Sequence, residues 1–304
     1  MIDTIRVKFP VSPTDFQLGG WTCMTTKVKD GIKVKYVYNP VIGETAFRFT
    51  YLPEAYDGHP MLSLEFSLPK MVYGNNYQML ESIEEAIKLG NAKLAKVKDI
   101  PVLDLAEGIL IRLDICYNHQ VGDAVDDYIK ALGNLDYPHR RTKGHRHEGV
   151  EYKAKHKTTK FYNKENESKH KEAFGILRQE ITLLKGKDVQ EFLGVKKPTL
   201  LDISIGQISI ALKGELQTLR LLNNSIATRN TALQNLCEVY GDDAGIYYFG
   251  LLISKLDKSR KQIVKKTSTH PRSLDRKLRK IIDAGIPLTL TDREEPLPPL
   301  SIDL

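Results

Sequence analysis

Cysteine is scarce in this chain: only Cys23, Cys116 and Cys237 occur among 304 residues. They are far apart, odd in number and form no Cys-x-x-Cys pair. This pattern argues against both a disulfide framework and a structural zinc site. It is typical of a protein that stays in a reducing cytoplasm.

Long apolar runs are also missing. No stretch approaches the roughly 18–20 apolar residues that span a bilayer, and the start, MIDTIRVKFPV, alternates polar and apolar residues instead of forming a signal-peptide core. We therefore predict neither export nor a membrane partner. The 41% hydrophobic and 27% charged content is that of a soluble globular protein with one large or two ordinary domains.

Acidic residues are few in two segments that are rich in basic ones. Residues 139–171 contain 11 Lys/Arg against 4 Asp/Glu, together with five of the eight histidines. Residues 254–280 contain 11 Lys/Arg against 2 acids. Solvated helix faces would explain either segment alone, but two such segments predict a polyanionic partner, most simply DNA or RNA phosphates.

The order of periodic patterns predicts an α+β fold. Apolar residues alternate with polar ones, as in strands with one buried face, and helix-like patterns interrupt them. We predict an antiparallel sheet with helices packed on one face in residues 1–197. A mainly helical, basic region with an extended tail follows in residues 198–304. Strands are expected around Ile5–Phe9, Val34–Tyr38, Phe47–Tyr51, Leu62–Leu68, Ile109–Tyr117, Gly149–Lys153, Thr158–Tyr162 and Ile176–Leu184.

Near the end of the chain, Ser273 is the expected N-cap of a helix over Leu274–Ala284, which Gly285 ends. This helix carries basic residues, among them Arg276, Lys277 and Lys280, beside an apolar stripe. It is either a DNA-contacting helix or an ordinary basic surface helix.

Three carboxylates occupy the polar side of otherwise apolar strands. Because successive strand side chains point to opposite faces, Glu65, Asp114 and Glu180 are predicted on an open face, with Arg112 and Arg178 beside them. Ordinary outward-facing charge is one explanation. The other is a carboxylate cluster that binds Mg²⁺ or Mn²⁺, since hard cations prefer oxygen ligands.

The segment TTKFYNKENE, residues 158–167, places a tyrosine among lysines and glutamates. Phe161 is the core residue of this strand, so Lys160 and Tyr162 point the other way, and Lys164 follows them if the strand continues. A phenol with a pKa of about 10 needs nearby positive charge or a metal to act as a nucleophile. A solvated sheet-edge tyrosine is the alternative.

Several motifs resemble those of one family, and they occur in its order over nearly the whole chain. They are the start Met1–Lys8, the block Ser67-Leu68-Pro69-Lys70-Met71-Val72-Tyr73-Gly74-Asn75-Asn76, the strand Arg112-Leu113-Asp114, the segment Tyr162-Asn163-Lys164-Glu165-Asn166-Glu167, the strand Leu177-Arg178-Gln179-Glu180 and the late Ala284-Gly285-Ile286-Pro287. Together they resemble the gene-two-type replication initiators of filamentous phages and related small plasmids, which start rolling-circle replication.

The resemblance implies a metal-dependent nicking and joining endonuclease. Tyr162 would be the nucleophile that forms a 5′-phosphotyrosine and leaves a free 3′-hydroxyl, assisted by Lys164. Strand alternation adds Lys160, which points to the same side as Tyr162, as a further catalytic candidate. Asp114 would be the main ligand of Mg²⁺ or Mn²⁺. The rest of the metal shell would come from Glu65, Glu167 and Glu180, and DNA contacts are expected from Lys70, Asn75, Arg112, His156, Arg178, Arg276, Lys277 and Lys280.

The implied partners are supercoiled double-stranded origin DNA, single-stranded DNA, and the host helicase and polymerase, in a bacterial cytoplasm. The protein could also dimerise on DNA. Many rolling-circle nickases hold their metal with His-hydrophobic-His; the nearest match here, His145-Arg146-His147, is interpreted as DNA-contacting or solvated.

Two other classes of function stay open. One is a non-catalytic nucleic-acid-binding replication regulator with the same fold. The other is a tyrosine recombinase or an RNA-processing nuclease. A recombinase normally places its tyrosine in an Arg-rich, largely helical domain, whereas Tyr162 is predicted on a strand.

Overall fold

The computed structural model describes residues 1–15, 17–28, 31–54, 59–144, 148–257, 260–267 and 269–303. It confirms an α+β protein with a large antiparallel sheet, helices and a helical C-terminal region. The strands are β1 (Ile2–Pro10), β2 (Thr22–Val28), β3 (Gly31–Tyr38), β4 (Val41–Ile42), β5 (Thr45–Ala46), β6 (Arg48–Leu52), β7 (Met61–Ser67), β8 (Ile109–Gln120), β9 (Arg141–Gly144), β10 (Gly149–Lys153), β11 (Lys157–Asn163) and β12 (Ile176–Leu183).

The helices alternate with these strands in the first two thirds of the chain and follow one another in the last third. They are α1 (Leu68–Tyr73), α2 (Ile83–Leu94), α3 (Val125–Gly133), α4 (Lys164–Ser168), α5 (Gly186–Leu193), α6 (Ile205–Thr218), α7 (Arg229–Tyr240), α8 (Asp242–Asp257), α9 (Arg260–Thr267) and α10 (Pro271–Asp283). Within the described ranges, every helix is too short or too polar to cross a lipid bilayer.

The chain forms two compact units that interleave along the sequence. The first unit comprises Met1–Tyr117, Lys155–Thr158 and Glu180–Ile208, and the second comprises Asn118–Ala154, Thr159–Gln179 and Ser209–Leu304. Strands β8, β11 and β12 contribute residues to both. The domain boundary predicted between residues 197 and 198 refers to parts of the chain that fold separately. These compact units do not test it, so it stays a prediction.

In the first unit the strand order is β2-β3-β6-β7-β1-β8-β12-β11, of which β12 contributes only residues 180–183 and β11 only residues 157–158. From β2 to β8, consecutive strands of this order pair antiparallel. Alternate side chains such as Ile5, Val7, Leu62 and Leu64 are fully buried, and α1 packs against β1 and β7. The residues between them point to the opposite, polar face, as expected for a half-buried sheet.

In the second unit the strand order is β8-β12-β11-β10-β9, of which β8 contributes residues 118–120. Its C-terminal helices share an apolar core that includes Leu236, Leu252, Ile263 and Ile281. Helix α8 contacts both α7 and α10. Leu274, Leu278 and Ile281, which belong to the apolar stripe expected on the last helix, lie in the same core.

The start of α10 differs from its predicted start. The helix begins at Pro271, and the side chain of His270, not of Ser273, accepts a hydrogen bond from the backbone N–H of Arg272. Proline fits the first turn because it fixes a helical φ and has no N–H that would be left without a partner. The predicted Ser273 cap is therefore wrong by three residues.

The predicted open face of β12 is also wrong. All eight residues of this strand are buried, and Arg178 and Glu180 are 0% and 6% exposed. Asp114 on β8 is likewise buried, at 3%. Because side chains on both faces of β12 are covered, an alternation of apolar and charged residues does not identify a wet face there.

Candidate active-site residues

The block Ser67–Asn76 forms the short helix α1 and its two ends. The Ser67 side chain accepts from the backbone N–H of Lys70, Pro69 lies in the first turn, and Gly74 ends the helix at a φ of 75°. This left-handed conformation favours glycine because it lacks a Cβ. The Ser67 hydroxyl also donates to Asp3 Oδ1 at 2.9 Å, which attaches the helix start to β1.

Lys70 and Asn75, the two expected DNA contacts in this block, differ in their surroundings. Lys70 is exposed. Asn75 stabilises the turn after α1: its amide donates to Tyr73 O and Gln78 Oε1, and its Oδ1 accepts from the Gln78 N–H at 3.1 Å. The Asn75 amide therefore has a structural function in this turn.

Two arginines bind two of the predicted carboxylates in the first unit. Arg112 binds Asp114 with two nitrogens, Nε to Oδ1 at 3.1 Å and Nη2 to Oδ2 at 2.6 Å. Its Nη1 also lies 3.3 Å from Glu65 Oε1. On the other side, Arg6 Nε donates to Glu65 Oε2 at 2.6 Å. We call Arg6, Glu65, Arg112 and Asp114 the arginine–carboxylate cluster.

The register of the sheet explains this cluster. Arg6 on β1 is the Cα partner of Glu65 on β7 and of Arg112 on β8. Burial lowers the pKa of Arg112, but its hydrogen bond to Asp114 and the charges of Asp114, Glu65 and Glu180 outweigh burial, so the pKa of Arg112 is raised. Glu180 therefore belongs to the same electrostatic environment, and its Oε1 accepts from the Thr182 hydroxyl at 3.1 Å.

The arrangement of these carboxylates does not fit a Mg²⁺ or Mn²⁺ site. Both oxygens of Glu65 and both of Asp114 already contact a guanidinium, and a divalent cation needs several free oxygen ligands. In the described part of the chain, no group of three or more His, Cys, Asp or Glu side chains is placed to hold a metal ion. The metal requirement stays a prediction of the family resemblance.

Tyr162 lies on β11 in the second unit, as the alternation predicts. Phe161 is fully buried, while Lys160 and Tyr162 are half-buried. A Cβ at Gly149 on β10 would lie 2.7 Å from Phe161 O and 2.8 Å from Tyr162 Cβ, closer than real side chains pack. Glycine at position 149 therefore leaves the room in which Tyr162 sits.

The strand does not continue to Lys164, so the condition under which Lys164 would point with Tyr162 is not met. Asn163 caps helix α4 by accepting from the Asn166 N–H at 3.2 Å, and Lys164 is the first helical residue. Its side chain is fully buried, and its Nζ donates to Glu167 Oε2 at 2.5 Å. The same Nζ lies 5.7 Å from the centre of the Tyr162 ring.

Glu167 thus forms an ion pair with Lys164. Its side chain is 47% exposed, so its charge is partly solvated, whereas the ammonium of Lys164 is fully buried. Burying a charge is costly without a partner. In this structure Glu167 has the role of a counter-charge to Lys164.

Two further predicted DNA contacts already bind other side chains of the protein. His156 Nδ1 lies 2.8 Å from Oδ1 of Asp188, a carboxylate that is 5% exposed, while the His156 side chain itself is 53% exposed. Arg178 Nε donates to Asn118 Oδ1 at 2.8 Å. His145-Arg146-His147 lies outside the described residues.

The basic residues of α10 differ in exposure. Arg276 and Lys280 are exposed and Lys277 is half-buried, while Leu274, Leu278 and Ile281 are buried. Lys277 Nζ donates to Tyr247 Oη at 2.5 Å. Helix α10 is therefore amphipathic, with its apolar side in the core of the second unit and basic residues at the surface.

The predicted site residues fall into two groups, each within one compact unit. Glu65, Arg112, Asp114 and Glu180 come together in the first, and Tyr162, Lys164 and Glu167 in the second. The reasoning from sequence missed Arg6 and Gly149. Alternation along β1 places Arg6 on the same polar face as Glu65 and could have identified it, whereas the close approach of Gly149 to Tyr162 has no signal in the sequence.

Comparison of the chain with protein-family models, with curated proteins and with solved structures finds no match.

Proposed function

We propose that the protein is a site-specific DNA nicking and joining enzyme that starts rolling-circle replication, with Tyr162 as its nucleophile. The observation that carries this proposal is the half-buried Tyr162 beside a fully buried lysine ammonium, 5.7 Å from its ring. A fixed positive charge stabilises a phenolate more than the neutral phenol, which favours the nucleophilic form.

In the proposed step the Tyr162 oxygen attacks a phosphodiester phosphorus. A phosphorus–oxygen bond to Tyr162 forms, and the bond from phosphorus to the 3′-oxygen breaks. The phenol proton passes to solvent and the leaving 3′-oxygen takes up a proton, so the products are a 5′-phosphotyrosine and a free 3′-hydroxyl. The reverse attack by a 3′-hydroxyl rejoins the strand, because one phosphodiester is exchanged for another.

Lys164 would hold its charge near the ring throughout this exchange, because Glu167 and the start of α4 fix it in place. The exposed Arg276 and Lys280 of α10 would add affinity for phosphates. The family resemblance also implies a divalent metal ion. Because the carboxylates of the arginine–carboxylate cluster are paired with arginines, no step of the proposed reaction is assigned to a metal.

The test is a covalent adduct that survives denaturant. The full chain is incubated with a supercoiled plasmid library that carries random inserts, with Mg²⁺, with Mn²⁺ or with EDTA, and protein-linked DNA is recovered after SDS treatment. We expect an adduct in the wild type, and mass spectrometry should locate it on Tyr162.

The matched variants are Tyr162→Phe, which should form no adduct, and Tyr247→Phe, which changes a half-exposed tyrosine of α8 and should form it normally. No adduct under any of the three conditions, or an adduct that persists in Tyr162→Phe, contradicts the proposal. The EDTA arm tests separately whether a metal is needed.

A second candidate function is a non-catalytic nucleic-acid-binding replication regulator. The pairing of Glu65 and Asp114 with arginines favours it, because those carboxylates then stabilise strands β1, β7 and β8 without serving a metal. Salt-dependent DNA binding with no adduct in the same assay would support this candidate.

A further inference from the structure

The polar face of the first unit's sheet contains an open groove of about 630 Å³. Five strands contribute to it: β3, β6, β7, β1 and β8. Four of its lining residues are cations, namely Arg6, Lys8, Lys35 and Arg48. Apart from Arg6, none of these cations has any role in the proposed chemistry or in the clusters described above.

Strand alternation and register place these cations together. On β1, Val7 and Phe9 are buried in the core, so Arg6 and Lys8 point to the other face. Across the neighbouring strand, Lys8 is the Cα partner of Ser63. Ser63 is in turn the Cα partner of Thr50 on β6, so hydroxyl groups lie between the cations.

The charge of the groove is not balanced by its own acids. Glu65 is the single acidic residue among those that line it, and this carboxylate already contacts Arg6 and Arg112. Within the part of the chain that the structure describes, Lys8, Lys35 and Arg48 form no ion pair. A groove lined by charges of one sign concentrates the electric field of the protein, so this groove attracts an anion.

The spacing of the cations favours a chain of phosphates over one small anion. From β3 through β6 and β7 to β1 there are three inter-strand spacings, about 14 Å in all. Apolar Leu52, Met61 and Ile111 line the same groove and offer contact area for sugars and bases. A positively charged groove that follows the backbone is one of the two features by which proteins hold single strands without reading their sequence. The other, aromatic side chains on which bases stack, is absent among the described residues that line this groove, so the charges would supply the affinity.

We propose that this groove, which we call the basic sheet groove, binds the backbone of single-stranded nucleic acid through Lys8, Lys35 and Arg48. This inference deepens the proposed function, since it rests on nucleic acid being the substrate. A rolling-circle nickase must hold the strand that it displaces or rejoins, and the groove gives that strand a binding surface within one compact unit.

The experiment compares two triple variants of the full chain. Lys8→Gln, Lys35→Gln and Arg48→Gln remove three charges from the groove. The matched control, Lys88→Gln, Lys96→Gln and Lys98→Gln, removes three exposed charges on and after α2. Binding of a fluorescent oligothymidylate is measured by anisotropy in EDTA at several salt concentrations, in a Tyr162→Phe background so that no adduct forms.

We expect the groove variant to bind at least about tenfold more weakly at low salt. We also expect the slope of log affinity against log salt to fall by about 2, since each single-strand phosphate contact contributes about 0.7. The control variant should keep the wild-type affinity and slope within about twofold. Circular dichroism and thermal unfolding check that both variants fold.

Equal losses in the two variants would overturn the inference, and so would an unchanged groove variant. Polyglutamate that competes with the oligonucleotide as strongly as unlabelled oligothymidylate would also overturn it, in favour of an acidic protein partner. Adduct formation is measured separately, so the failure of one proposal can be told from the failure of the other. Groove-dependent binding without an adduct would contradict only the nicking reaction. An adduct together with binding that does not depend on the groove would contradict only the proposed role of the groove.

Discussion

Two sets of cations, one in each compact unit, have opposite surroundings. In the first unit, Lys8, Lys35 and Arg48 line an open groove and form no ion pair within the described ranges. In the second unit, Arg140 and Lys164 are buried and each binds a glutamate. The same residue types therefore line a proposed binding surface in the groove of the first unit and stabilise the fold in these buried pairs of the second.

In the second unit, the buried carboxylate of Glu215 accepts hydrogen bonds from three different side chains. Glu215 is 2% exposed, and it accepts from Arg140 Nη2 at 2.9 Å, from Tyr137 Oη at 2.7 Å and from Thr159 Oγ1 at 2.7 Å. Burial, reinforced by the hydrogen bond to Glu215, raises the pKa of Tyr137 to about 12. Tyr137 thus remains a hydrogen-bond donor at any physiological pH.

The largest expected effect on stability comes from Glu215→Gln. This change leaves the buried guanidinium of Arg140 without its counter-charge, which costs about 3 kcal/mol of unfolding free energy. Urea unfolding followed by circular dichroism measures the loss. Adding Arg140→Met should recover part of it, because the double variant no longer buries an uncompensated charge.

The matched control for this change is Glu191→Gln. Glu191 lies 3.7 Å from Lys187 in an ion pair whose two side chains are 65% and 77% exposed. Such surface pairs contribute little, so we expect a change within about 0.5 kcal/mol. A Glu215→Gln variant as stable as this control would show that the buried ion pair of Arg140 contributes no more to stability than an exposed pair.

The sequence predicted the strands of the fold better than the surroundings of their charged residues. The predicted strand Gly149–Lys153 coincides with β10, because alternation reports which backbone is extended. Alternation does not report what covers the other face, and this is why the burial of Glu180 and Arg178 was missed. Their environment depends on segments distant in sequence.

The local structure after Tyr162 could have been predicted. Asn163 followed by Lys-Glu-Asn-Glu is a helix-start pattern, with a capping side chain and acids in the first turn. This signal excludes the extension of the strand to Lys164 that alternation alone left open. By contrast, the pairing of Lys164 with Glu167 depends on burial of the lysine, which neither motif nor spacing reveals.

The second prediction tests whether Lys164 is more than a structural cation. Lys164→Met replaces a buried ammonium by an apolar chain of similar length, and Glu167 is exposed enough to be solvated on its own. We therefore expect the unfolding free energy to change by no more than about 1 kcal/mol. The rate of adduct formation, measured by SDS gel, should fall by about 100-fold or more, because the charge that stabilises the phenolate is gone.

Glu167→Gln is the counterpart of this variant. It keeps the cation near Tyr162 but removes the negative charge of the Glu167 ion pair from a buried ammonium, so it should lower stability more than Lys164→Met does and slow the adduct less. The opposite pattern, with Lys164→Met unfolding readily and the adduct rate of its folded fraction unchanged, would make Lys164 a purely structural residue.

The smallest expected effect concerns His119, a buried titratable group of the second unit whose described partners are neutral. It is 4% exposed, and its Nε2 lies 3.1 Å from Gln179 Oε1. Burial lowers the pKa of His119, and the hydrogen bonds to Gln179 and to the backbone of Ser301 offset this only in part. The folded protein therefore keeps His119 neutral at pH values where the unfolded chain, with a pKa of about 6.5, already binds a proton.

Because the unfolded chain then binds more protons, stability should fall as the pH drops below about 6.5, by at most about 1.4 kcal/mol per pH unit. Urea unfolding at pH 7.5 and pH 5.5 measures how much unfolding free energy each protein loses between the two pH values. This loss should be about 1 kcal/mol larger for the wild type than for His119→Gln, whatever the stability of that variant at pH 7.5. The exposed His170→Gln should behave like the wild type. Equal pH dependence in the wild type and in His119→Gln would mean that other groups cause the acid sensitivity, and that keeping His119 buried and neutral does not lower the stability of this unit at acidic pH.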